Sequence, residues 1–62
     1  MEQIKFIKYL EDNHCSLQNT GKKHLLFIHE ISRLRSTVPI QPEIKELLVR
    51  KICVDLGVYP PK

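Results

Sequence analysis

Lys22-Lys23-His24-Leu25-Leu26-Phe27-Ile28-His29-Glu30-Ile31-Ser32-Arg33-Leu34-Arg35 is the stretch on which the fold turns. Leu25 to Ile28 is a short apolar run that suits a buried strand or a helix equally, and periodicity alone does not separate the two. A strand over Lys23 to His29 would stop there, whereas the apolar spacing goes on. His24, Phe27, Ile28, Ile31 and Leu34 recur at i, i+3, i+4, i+7 and i+10, one stripe of a helix. The continuation through Ile31 and Leu34 favours a helix over residues 22–35. Arg33 and Arg35 then fall in its last turn, where cations complement the macrodipole.

Upstream, Ile4, Ile7, Leu10 and Leu17 keep a helical spacing with Phe6 beside them, while Lys5, Lys8 and Asp12 lie opposite. A first helix is therefore expected over residues 2–17, with Glu2 at its positive end. Ser16 to Gly21 is a cluster of turn formers that closes it. Downstream, Pro39 and Pro42 disfavour helix in the residues before them, so Val38 and Ile40 should be extended and pack as lids on the core.

A third helix follows over residues 42–56, with Pro42 suited to its first position and Gly57 to a left-handed close. A step of about 100° per residue spreads Ile44, Leu48, Ile52, Leu56 and Val49 around one broad arc. Leu47 and Val54 extend that arc on one side and Cys53 on the other. A surface helix normally carries a narrower stripe, which implies burial on more than one side. Val58 to Lys62 leaves as an extended, proline-containing tail. The expected fold is all-α: a single three-helix domain spanning the chain, with a core of Ile7, Leu10, Phe27, Ile28, Ile31, Leu34, Ile44, Leu48 and Ile52.

Sixty-two residues bury only about 60% of the surface the unfolded chain exposes, so stability is marginal without a staple or an oligomer. The hydrophobic content of 42% is that of an ordinary globular protein. No apolar run approaches the roughly 20 residues that span a bilayer, and the start lacks the pattern of a signal peptide. A cytoplasmic protein is the expectation, with Cys15 and Cys53 as two reduced thiols rather than a disulfide framework.

Catalytic and metal chemistry find little support in the spacing. His14, Cys15, His24, His29 and Cys53 include soft ligands, but no tight pair such as C-x2-C occurs among them. Cys15 and His14 are adjacent, and a Cys–His nucleophile needs the two to meet in space with a third orienting group. Thr20-Gly21-Lys22-Lys23 lacks the upstream glycine of a phosphate loop, with Ser16 in its place. No enzyme activity, cofactor, metal or small-molecule substrate is expected.

The net charge of +3 comes entirely from residues 32–62, where Arg33, Arg35, Lys45, Arg50, Lys51 and Lys62 outnumber Glu43, Glu46 and Asp55. Two function classes remain. In the first, the chain is a small regulator that docks an apolar helical surface on a protein partner, on itself or on both, and a homo-oligomer is the expectation. Leu47, Arg50, Lys51, Val54 and Tyr59 would form one flank of the contact, and Val49 and Cys53 the other. In the alternative, Lys22, Lys23, Arg33, Arg35, Arg50 and Lys51 converge on nucleic-acid phosphates without sequence readout. A helix-turn-helix is disfavoured, because Ser36 to Gln41 is long, proline-stiffened and free of glycine. Tyr59-Pro60-Pro61 has the composition of a ligand for an aromatic groove, but a disordered terminus is the expectation, with Tyr59 folding back over the open end of the core as the alternative.

Overall fold

The structure, a computed structural model, describes residues 1–61. Lys62, the last residue of the expected tail, lies outside the described residues. Among them the order is α1 (Gln3–Asp12), β1 (Cys15–Thr20), β2 (His24–His29), β3 (Arg35–Pro39) and α2 (Glu46–Leu56). The strands form an antiparallel meander with β2 in the centre. Both helices lie on one face of it, α1 over β1 and α2 over β3. Phe6 and Leu10 of α1 and Val49, Ile52, Cys53 and Leu56 of α2 share one core cluster with Phe27 and Val38 of the sheet.

The all-α, three-helix expectation is thus overturned, and the stretch 22–35 is where it fails. The structure makes a β-hairpin arm of it. In β2 the side chains alternate, so Leu25 and Phe27 point to the helices while Leu26 and Ile28 point to the other face. Ile28 is buried there between its register partners Ser16 and Arg35. A run that is apolar on both faces reads as a central strand. The helical stripe was incidental: Ile31, 72% exposed, and Leu34 sit in the turn and its exit, outside the core.

That turn has no glycine to announce it. His29 donates its N–H to the Leu34 carbonyl at 2.9 Å, and Arg33 donates to the His29 carbonyl at 2.9 Å. Arg33 takes the left-handed conformation, with φ of 66°. The His29 Nδ1 accepts from the N–H groups of Ile31 and Ser32 at 3.3 and 3.2 Å, a side chain standing in for a turn carbonyl. The other connection, Gly21 to Lys23, joins β1 and β2, with the Gly21 N–H donated to the His24 carbonyl at 2.8 Å.

The first helix is shorter than expected because Asn13 and His14 end it. His14 adopts φ of 68°, a region in which histidine is enriched among non-glycine residues. Cys15 to Thr20 then pairs with β2 through a bulge between Leu17 and Asn19. Phe6 rather than Ile7 fills the core centre, and Ile7 and Leu48 pack at its edge. Val38 is buried within β3, whereas Ile40 is about half exposed and does not act as a lid.

The last helix begins at Glu46, not at Pro42. Residues 40–45 instead cross from β3 to α2 and pair with the chain start. There the Gln3 N–H reaches the Pro42 carbonyl at 3.0 Å, and the Ile44 N–H reaches the Met1 carbonyl at 2.8 Å. Gly57 closes the helix as expected, with φ of 75°. Its N–H goes to the Val54 carbonyl at 3.1 Å and that of Val58 to the Cys53 carbonyl at 2.8 Å, a Schellman pair. Among the described residues no helix is long and apolar enough to cross a membrane.

Candidate functional site

The outward side of α2 carries two of the exposed apolar side chains of the fold, Leu47 and Val54. The inward arc, Leu48, Ile52, Leu56, Val49 and Cys53, packs on the sheet and α1. A step of about 100° per residue orders the remaining side as Glu46, Arg50, Val54, Leu47, Lys51 and Asp55. Two apolar side chains therefore occupy the centre of the solvent face, where a helix of a small domain should be polar. Leu47 is 81% exposed and Val54 68%. They lie seven positions apart, nearly in line along the axis.

Charged pairs bracket this line on both sides. Arg50 Nη2 donates to Glu46 Oε1 at 3.4 Å, and Lys51 Nζ donates to Asp55 Oδ2 at 3.5 Å. Asp55 Oδ2 also accepts from the Ser36 hydroxyl at 3.5 Å, which ties the helix to β3. The pairs are exposed, so each contributes little to stability. Their effect is to hold the two cations toward the middle of the stripe and the two carboxylates toward its ends. Tyr59, 90% exposed, rims the shallow depression next to Val54. Its carbonyl accepts the Tyr9 hydroxyl, which fixes the tail against α1.

Leu47, Arg50, Lys51, Val54 and Tyr59 thus stand on one accessible side. Val49 and Cys53, expected on a second flank, are instead inside the core cluster, and Val49 borders Met1 and Pro61. Burial pushes the Cys53 thiol up to about 11, with Cys15 nearby as a lesser cause, and burial likewise raises Cys15. Both are free thiols behaving as small apolar side chains.

The expected phosphate-binding set does not converge. Lys22 and Lys23 lie at one end of β2, and Arg33 and Arg35 at the other, a strand length of roughly 20 Å away. Arg35 shares the outer sheet face with Ile28, while Arg50 and Lys51 ride on a helix that covers the opposite face. What the sequence did not announce is a pocket at the first of these ends, lined by Lys22, Lys23, His24, Pro39, Ile40 and Gln41. The Ile40 N–H donated to the Lys23 carbonyl at 3.0 Å brings its two sides together. The β2–β3 pairing is what places these residues, far apart in sequence, side by side.

The histidines are similarly divided. His14 and His29 pack edge to face, with ring centroids 6.2 Å apart, and His24 is at the far end of β2. The Cys15 thiol turns to the Asn13 carbonyl at 3.8 Å. Among the described residues no group of three or more His, Cys, Asp or Glu side chains is placed to hold a metal ion. Comparison of the chain with protein-family models, with curated proteins and with solved structures finds no match.

Proposed function

We propose that this protein is a small, non-enzymatic regulator that works by docking the outward face of α2 on another protein. The observation that carries this reading is the pair Leu47 and Val54, exposed at the centre of a helix face whose edges are charged. An apolar centre within a polar rim is the anatomy of a protein interface. Neither side chain serves the fold, since the core is complete without them. Two free, buried thiols suit a reducing compartment, and a cytoplasmic location belongs to the same proposal.

The test is partner retention by the intact chain and by its Leu47→Asp and Val54→Asp variants, in extracts of cells that express it. A partner held in stoichiometric amount by the parent chain and released by both variants supports docking. Equal retention by all three contradicts it.

A second reading is favoured by the pocket at the β1–β2 end. Lys22, Lys23 and His24 line it with Gln41, and none of its lining residues is acidic, so it suits an anion such as a nucleic-acid phosphate. Here retention of an RNA or DNA duplex should fall steeply between low and moderate salt, and Lys22→Glu with Lys23→Glu should abolish it. Replacement of Arg33 and Arg35 should matter less, since they lie at the other end of the sheet. Salt-independent or absent retention counts against this reading.

A further inference from the structure

From the charge order along the α2 stripe we infer that its occupant is a helix of opposite pattern on a different protein, not a second copy of this chain. The inference rests on the docking reading above and adds the chemistry of the partner. From one end of the face to the other the residues run Glu46, Leu47, Arg50, Lys51, Val54, Asp55, so cations occupy the middle and carboxylates the ends.

A second copy that covers both Leu47 and Val54 must centre on the same point between Arg50 and Lys51. Antiparallel packing lays Leu47 on the copy's Val54, and parallel packing lays each on its own equivalent. In either orientation the Arg50 and Lys51 side chains of both chains gather at the middle of the contact, and Glu46 and Asp55 at its ends. Each cation has one exposed carboxylate at 3.4 or 3.5 Å, which does not offset a second pair of cations pressed against it in a drying interface. A register shift that relieves the repulsion uncovers either Leu47 or Val54, leaving one apolar side chain to hold the pair.

The complementary occupant has two apolar residues one heptad apart, with two carboxylates between them, and cations just outside. Such a helix lays its apolar residues on Leu47 and Val54 and its carboxylates on Arg50 and Lys51, and it satisfies the same pattern from either direction. Helix-on-helix packing through this spacing is the ordinary geometry of a helical seam.

The experiment uses the whole chain and two helix-stabilised synthetic peptides. Both carry leucines one heptad apart, and they differ only in having Glu-Glu or Lys-Lys between those leucines. Binding is followed by fluorescence anisotropy, with the sedimentation of the chain alone recorded at the same concentration. The expected result is a monomer that binds the Glu-Glu peptide at least about tenfold more tightly than the Lys-Lys peptide, a preference that shrinks with salt. Val54→Asp should remove the binding.

Equal affinity, a preference for Lys-Lys, or binding of neither peptide overturns the inference, as does a dimer that Val54→Asp splits. The two failures are separable. A cellular partner released by Leu47→Asp, together with no peptide preference, removes the charge argument alone. A chain from which Leu47→Asp releases nothing loses the docking reading as well.

Discussion

Gly57 is the residue whose backbone is least replaceable. At φ of 75° it closes α2, and a Cβ there would stand 3.2 Å from Leu34 Cδ1, the far end of a flexible side chain. The neighbour can yield, so the cost of Gly57→Ala is mainly that of a left-handed L-residue, roughly 1–2 kcal/mol. Urea unfolding should show that loss, and an unchanged midpoint would mean the helix closes in another way. The Cys53 thiol makes a second residue-scale prediction. It ionises near 9.0 when unfolded and near 11 in the native core. Across that window the unfolded state sheds its proton first, so stability is fully present below about pH 9 and falls as pH rises toward 11. Denaturation midpoints measured across this range should decline in the parent chain and decline less in Cys53→Ala. At neutral pH, alkylation of the folded protein should be slow and should track unfolding.

At the scale of elements, β2 decides the architecture, and Phe27 is its anchor. Buried against both helices, it should cost about 3–5 kcal/mol on truncation to alanine, enough to unfold most of the population of so small a domain. The same substitution at Ile31, exposed in the turn, should be close to neutral, whereas a helix over residues 22–35 would make both costly. Thermal unfolding followed by circular dichroism separates the two outcomes. The α2 helix was legible because its signals are local: an apolar arc, and a glycine at the closing position. The β2–β3 hairpin was not, because its turn uses Arg33 in left-handed backbone and the His29 ring as an acceptor, neither of which is a standard turn signal, and the joint between α1 and β1 likewise turns on His14 rather than a glycine. An apolar strand buried on both faces also mimics a helix over any window short enough to be a strand.

For the whole molecule, what matters is which apolar residues are left once the fold is satisfied. The breadth of apolar surface on α2 was visible in the sequence, and its allocation was not. Val49 and Cys53 went to the core, Val49 beside Met1 and Pro61, and of the apolar residues of α2 only Leu47 and Val54 are largely exposed. Both lie on the solvent face of a helix, so Leu47→Asp and Val54→Asp should each cost no more than about 0.5–0.7 kcal/mol, the difference in helix propensity. Thermal melts should confirm that these variants fold, and a large loss would place the side chains inside the structure after all.

Site-specific photocrosslinking in living cells tests the docking claim most directly. With a photoreactive side chain in place of Val54, irradiation should give one discrete heavier adduct to a different protein, while the same group in place of Lys8, exposed on α1, should give none. Identical adducts from both positions, or none from position 54, would contradict a docking role for the outward face of α2.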